Sequence, residues 1–350
     1  MKKIFASALL AAAALAFAGC AKHETSGPND ANRRYFDAWM EVNHPDVQPT
    51  GLGIYIIEDN PGTGSTVTDK GYVYLDYVTS NLSGKISVYT DAETARQLGE
   101  YDETKYYGPK FMSTSEGSLP AGVAEALIGM KAGGHRRVII PSWLMNYDVY
   151  DTEEEYLDPN DEDYNASSYS NSIYDLYVRD FTDDMESWQI ARIGEYFEDH
   201  RDIYGNMTAA DSIPKFKGMY YKQLQAPADT ATFAKDTVIY INYTGRLLNG
   251  LVFDTSVEKT AKDNGIYSAS KDYSPVQINW GEAYTDITMG SNKSSVVSGF
   301  ALTLWQMKAM EKGMGVFMSG YGYGATGSGS SIPAFAPLVF EIELVEKPED

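Results

Sequence analysis

The sequence predicts an α+β fold: two strand-rich halves, an N-terminal helix and a helix between the halves. Three observations carry this. The regions from about Gly53 to Asp180 and from about Gly218 to Lys347 are rich in short strands. They repeat each other: KGYVYLDY leads to Gly84 and then ALIGMKAGGHRRVIIPSWLMNYD, and DTVIYINY leads to Gly250 and then ALTLWQMKAMEKGMGVFMSGYGYG. Between them, TDDMESWQIARIGEYFEDH has helical spacing at Trp188, Ile193 and Phe197, and Asp183 with Glu186 three later reads as a capping box.

The elements follow in chain order. Residues 1–19 read as a signal peptide: Lys2 and Lys3, then an apolar run from Ile4 to Phe17 too short to span a membrane. Ala18, Gly19 and Cys20 close it in the manner of a bacterial lipoprotein signal, with Phe17 where leucine is usual. Cys20 is the only cysteine, so it is the expected lipidation site and no disulfide forms within the chain. Cleavage there leaves 26 basic against 49 acidic residues, a net charge of −23. Such a chain repels phosphate backbones, which argues against nucleic acid as a partner. Residues 20–44 form a tether and then a helix over 31–42, with Tyr35, Phe36, Trp39 and Met40 on one apolar face. Residues 45–182 make the first domain, 183–216 the interdomain helix and linker, and 217–350 the second domain.

In the second half, Ile239, Ile241 and Tyr243 share a strand face, and Asn249-Gly250 predicts a hairpin that returns Phe253 near Tyr243. Phe300, Leu304 and Met307 mark one side of a helix. Leu338, Phe340, Ile342 and Leu344 alternate with Glu341 and Glu343, so Phe340 faces inward. Before that strand runs GYGYGATGSGSSIPAF, a glycine-rich loop with Tyr321, Tyr323 and Ile332. In the first half, Tyr77 and Gly84 are seven apart, as are Tyr243 and Gly250, and both halves carry an Ala-Leu helix containing a Met-Lys step.

In these blocks the second half resembles the FKBP family of peptidyl-prolyl isomerases. The resemblance implies two FKBP-like domains, each an antiparallel sheet wrapped around a short helix, with the site between helix and sheet. Carried over residue by residue, it implies a pocket of Tyr243, Phe253, Asp254, Val297 (in a Val296-Val297 step), Phe300, Tyr323, Ile332 and Phe340. The chain departs from the family pattern at Phe300, where a tryptophan is usual, and at Val276, where a phenylalanine is usual. Insertions flank the pocket between Asp254 and Pro275 and between Gly281 and Val296.

The chemistry needs no cofactor and no metal. A prolyl amide resists rotation by roughly 18–20 kcal/mol because of resonance. Twisting it breaks the resonance, and an apolar, water-poor pocket favours the less polar twisted state. The first half departs further: Ser87 and Val88 stand where the Phe-Asp pair belongs, unless Tyr89-Thr90-Asp91 substitutes through a small insertion. Val123 replaces the helix aromatic and Tyr174 the last phenylalanine, while Tyr147 is kept. That half is expected to bind or scaffold without isomerase activity. The run DPNDEDYN lacks the spacing of a calcium loop and reads as a solvated acidic loop. His23, His44, His135 and His200 have no ligand spacing and read as surface residues.

The expectation is a lipid-anchored isomerase or folding helper in the bacterial cell envelope, at the outer membrane, acting on proline-containing exported polypeptides. The alternative is a non-enzymatic lipoprotein that reuses the fold to bind a peptide or an envelope partner.

Overall fold

The computed structural model describes residues 28–145 and 170–348. Helix α1 (Pro28–Asn43) comes first. Strands β1 (Tyr55–Asn60), β2 (Tyr72–Asn81) and β3 (Ile86–Tyr89) lead to α2 (Ala92–Leu98) and β4 (Lys110–Ser113). Helix α3 (Ala121–Leu127), β5 (His135–Ile140) and β6 (Ser172–Thr182) complete the first half. Helices α4 (Met185–Asp199) and α5 (Arg201–Tyr204) connect to the second half. There β7 (Met219–Gln225), β8 (Val238–Leu247), β9 (Val252–Thr255), α6 (Glu258–Asp263) and β10 (Val276–Asn279) are followed by the short pair β11 (Thr288–Met289) and β12 (Ser294–Ser295). Helix α7 (Ser298–Gln306), β13 (Lys312–Phe317) and β14 (Leu338–Val345) close the chain.

Both sheets are antiparallel. The first runs β1-β5-β6-β2-β3, with β4 also on β2. The second runs β7-β13-β14-β8-β10-β11-β12, with β9 also on β8. Up to β10 the two orders are the same, element for element. The insertion after Gly281 adds two short strands to the sheet: β11 and β12 extend the edge beyond β10.

Each sheet wraps one buried helix. Helix α3 packs Val123, Ala126 and Leu127 on Val73, Leu75, Val138 and Leu176. Helix α7 buries nearly its whole circumference, with Phe300, Ala301, Leu302 and Leu304 in the core and Trp305 at the surface. Both helices lie so close to the sheet that their second residue is glycine. A Cβ at Gly122 would overlap Ile140, and one at Gly299 would lie 2.5 Å from the Phe317 ring. The Met-Lys step expected inside the helices lies just beyond them, at Met130-Lys131 and Met307-Lys308, where both methionines are buried. Chain turning back into β5 or β13 ends each helix before that step.

The opposite sheet faces are also covered. In α1, Phe36 and Met40 pack on Leu82, Ile139 and Ile173, while Tyr35 is 57% exposed. Tyr35 lies about 100° round the helix from Phe36, outside the narrow stripe that reaches the sheet. Helix α4 puts Ile193 and Phe197 against Tyr220, Met314, Val316 and Val339 on the back of the second sheet. Its N-cap is Asp184 and not Asp183: the Asp184 carboxylate accepts from the Ser187 backbone at 3.0 Å and the Ser187 hydroxyl at 2.6 Å. On its other side Trp188 faces the first half. Its indole N–H donates to Asp180 at 2.9 Å, and its ring meets Tyr74 and Phe111 edge-on.

His135 and His200 are half-buried and lie against Tyr177 and Tyr196, each with centroids 4.2 Å apart. They are packing residues and not the free surface groups expected from sequence. Among the described residues no helix is long and apolar enough to cross a membrane, and no three His, Cys, Asp or Glu cluster as metal ligands. Cys20, Tyr147 and the DPNDEDYN run lie outside the described residues.

Candidate functional site

The site candidates sit where α7 crosses the sheet. Strand β14 places Phe340 opposite Gly245 and Ile342 opposite Tyr243 on β8. The hairpin after β8 turns at Leu248-Asn249-Gly250, with Gly250 at φ +90° and the Leu247 N–H on the Leu251 carbonyl at 3.0 Å. It brings β9 back so that Asp254 pairs with Gly245. Two polar staples fix that return. The Tyr243 N–H donates to the buried Ser256 hydroxyl at 2.9 Å, and the Thr255 hydroxyl donates to the Tyr243 carbonyl at 2.8 Å.

Phe340 is the centre of the aromatic cluster. Its ring meets Phe300 at 5.1 Å and Phe253 at 5.6 Å, both edge-on, and lies parallel to Phe317 at 5.8 Å. Tyr243 meets Phe300 edge-on at 5.6 Å. These are the favoured geometries of aromatic pairs. Phe253 and Phe340 lean on the Gly245 backbone so closely that a Cβ there would lie 2.7 Å from one ring and 2.8 Å from the other. Tyr243, Phe300, Ile332 and Phe340 are buried, and Phe253, Asp254, Val297 and Tyr323 are half-buried around them. Val297 caps the start of α7 with extended backbone and packs with Val296 and Val276 against this core. The eight residues therefore form a buried aromatic floor with a partly wet rim.

The two tyrosines differ in what their hydroxyls do. Tyr243 donates to the Asp254 carboxylate at 2.7 Å. Burial, then the charge and hydrogen bond of Asp254, push the Tyr243 hydroxyl well above the usual tyrosine range. Burial and the Asp254 charge also raise Tyr323. Among the described residues the Tyr323 hydroxyl has no hydrogen-bond partner, while its carbonyl takes the Gly327 N–H at 3.2 Å and so shapes the loop. Both hydroxyls stay protonated near neutral pH. Tyr243 is committed to Asp254, and Tyr323 is free to donate.

Several residues at this site carried no signal in sequence. Gly245 reads as an ordinary strand residue until two rings are placed over it. Phe317 belongs to a different block, and only β13 lying beside β14 stacks it under Phe340. Lys271 lies in the insertion after Asp254, and its ammonium pairs with the Asp254 carboxylate. That insertion forms α6 and then returns to the pocket edge.

The first half has the same frame and a different lining. Tyr77 holds Thr90 as Tyr243 holds Ser256: its N–H reaches the Thr90 hydroxyl at 3.0 Å, and the Thr90 N–H reaches its carbonyl at 3.1 Å. Both spans are thirteen residues, so no insertion intervenes. Ser87 and Val88 stand in the places of Phe253 and Asp254, and Asp91 instead caps α2 through the Thr94 N–H at 2.7 Å. The Ser87 hydroxyl is hydrogen-bonded to Thr79 at 2.9 Å, and Val88 is exposed.

An aromatic cluster between one helix and an antiparallel sheet defines the class of domain in the second half. The model of the FKBP-type peptidyl-prolyl cis-trans isomerase family matches residues 230–345. The chain is 32% identical over 125 residues to FK506-binding protein 1A of Aspergillus fumigatus, an alignment covering 35% of this chain and 90% of that protein. It is 30% identical over 122 residues to FK506-binding protein 1 of Saccharomyces cerevisiae, covering 35% and 86%. With the FKBP-type 22 kDa peptidyl-prolyl cis-trans isomerase of Escherichia coli it shares 34% identity over 113 residues, 32% of this chain and 42% of that protein. The match thus takes in most of the fungal proteins and less than half of the bacterial one. The chain belongs to the FKBP-type peptidyl-prolyl cis-trans isomerase family, by way of its second half.

Proposed function

We propose that residues 217–350 form an active prolyl isomerase domain, working as a folding helper on proline-containing exported polypeptides. The observation that carries this is the arrangement around Phe340: a buried aromatic floor, with one tyrosine locked to Asp254 and a second, Tyr323, free to donate. A proline ring fits against the rings of Phe253, Phe300 and Phe340. The Tyr323 hydroxyl donates to a substrate carbonyl as the amide twists, and the apolar floor disfavours the planar, more polar amide. The Tyr243–Asp254 bond holds the rim in place. No side chain takes or gives a proton to the substrate. Residues 45–182 are a second FKBP-like domain with a scaffolding or binding role, because Ser87, Val88, Val123 and Tyr174 replace the lining residues.

The decisive measurement is cis–trans exchange of a short Xaa-Pro peptide by the full chain and by Phe253→Ala. Acceleration in the wild type that falls in the variant supports the reading. Peptide binding without acceleration favours the purely binding role.

We further propose that the protein is held at the bacterial envelope by lipid on Cys20, most simply at the outer membrane. The apolar run ending at Ala18-Gly19-Cys20 supports this. Mass spectrometry of the native protein tests it: an acylated Cys20 at the N-terminus is expected, and an unmodified thiol overturns it.

A further inference from the structure

The segment between α2 and β4, residues 101–109, belongs to the first half but lies over the second. The Tyr106 N–H donates to the Ser330 carbonyl at 2.9 Å, and the Tyr106 ring packs against the core that holds Tyr243, Phe300 and Phe340. Further along the same segment, the Glu103 carboxylate sits against Gly265, where any Cβ would collide with it. Gly265 lies in the insertion that returns Lys271 to Asp254, and Ser330 lies in the loop that carries Tyr323 and Ile332. One loop of the first half therefore touches both chain segments that flank the candidate prolyl site.

A cavity of about 430 Å³ opens along this contact. Ile332, Pro333 and Ala334 line one side, and Tyr89, Lys105, Tyr107 and Lys110 line the other. Ile332 is shared with the candidate prolyl site, so the hollow adjoins that site. The walls carry two lysines, and the nearest acids stand behind them: Glu100 accepts from the Tyr89 hydroxyl at 2.8 Å, and Asp102 lies beside Lys105. Lys105 reaches Asp102 only at 3.7 Å, in an exposed pair of the kind that holds little energy. Lys110 is exposed and makes no ion pair among the described residues. A hollow with tyrosine walls and two lysine ammonium groups at its edge, one of them without an ion pair among the described residues, suits a carboxylate on an extended peptide.

We propose that the first half supplies a flanking subsite for the peptide held at the second half: Lys105 and Lys110 read an aspartate or glutamate near the proline, with Tyr89 and Tyr107 packing its neighbours. This rests on the prolyl-site reading above and names the substrate class, proline peptides with an acidic flank. It also gives a catalytically silent FKBP-like half a reason to stay docked beside an active one.

The test uses the full chain and a set of fluorescent peptides with a single proline. One glutamate is moved through the positions on either side, and each peptide has a glutamine twin. Affinity is read by fluorescence anisotropy and turnover by cis–trans exchange, at low and high salt. At one or two positions the glutamate peptide should bind about threefold to tenfold more tightly than its twin at low salt, with the gain largely gone at high salt. The gain should appear in KM and leave kcat unchanged. In Lys105→Gln/Lys110→Gln the glutamate peptide should drop to the level of its twin. A preference absent in the wild type, or one that survives in the double variant, overturns the subsite. Turnover without preference overturns the subsite and leaves the isomerase reading standing. Preference in binding without turnover does the reverse, and a chain that neither binds nor turns over any peptide overturns both.

Discussion

The two halves put the same backbone to different ends. Tyr77 and Tyr243 hold equivalent hydroxyls thirteen residues on, and Tyr174 lies opposite Thr79 as Phe340 lies opposite Gly245. Even the acid after that residue recurs. Glu341 pairs with Lys312 and Arg246, and Asp175 sits 3.5 Å from Arg137 and from His135. Apart from the second half's insertions, the difference at the site lies in the lining. At the second site Gly245 leaves space that Phe253 and Phe340 fill, with Asp254 beside them. At the first, Thr79 stands at that register position and its hydroxyl is hydrogen-bonded to Ser87. The lesson is that the sheet-and-helix frame is set by core and register, whereas a pocket depends on a handful of side chains that the frame does not need.

The largest expected effect separates the two linings. Phe253→Ala should cut kcat/KM by roughly thirtyfold, the loss of about 2 kcal/mol of apolar contact. Tyr174→Ala, at the corresponding floor of the first half, should leave turnover within about twofold if, as proposed, the first lining does no catalysis. Equal losses in two folded variants would mean that the halves share the work.

Asp254→Asn comes next. It keeps a hydrogen-bond acceptor for Tyr243 but loses the charge that faces Lys271, and should cost about fivefold to tenfold in kcat/KM. Tyr323→Phe removes one neutral donor, about 0.5–1.5 kcal/mol or threefold to tenfold. If either erased activity while Phe253→Ala did not, proton transfer and not desolvation would be the mechanism.

The smallest effects are in pH. Tyr243 and Tyr323 are held above their usual value of 10.0, so both stay protonated and donating below it. The kcat/KM profile should be flat between about pH 6 and 9, because no group on the mechanism titrates there. A bell-shaped profile would sink the proton-free mechanism. Stability behaves differently at the acid end. Burial would raise the Glu341 carboxyl, but Lys312 and Arg246, each at 2.7 Å, bring it below its usual 4.5. A carboxyl lowered in the folded state stabilises it above the unfolded value, and that stability is lost as pH falls below about 4.5 through the folded value. Urea melts should show this acid sensitivity, and Glu341→Gln should flatten the curve.

Much of the frame was legible because it is written in local patterns. Alternation along LVFEIEL predicts which side of β14 is buried, and Asn249-Gly250 predicts the hairpin. The sevenfold Tyr–Gly spacing shows that the halves repeat. Those signals arise from strand periodicity and turn stereochemistry, which act within a few residues. What the sequence alone determined, then, is the α+β class, the repeat, and the presence of aromatic residues at matching places in the second half. Only the tertiary structure decided the rest. Gly245 matters because rings from two other strands meet over it, and Phe317 because β13 lies beside β14. Asp254 gains Lys271 from an insertion with no recognisable pattern. The docking of Tyr106 on Ser330 joins residues more than two hundred positions apart, through loops whose sequences carry no period. Contacts of that kind depend on where whole elements come to rest, and no local rule of spacing or propensity encodes that.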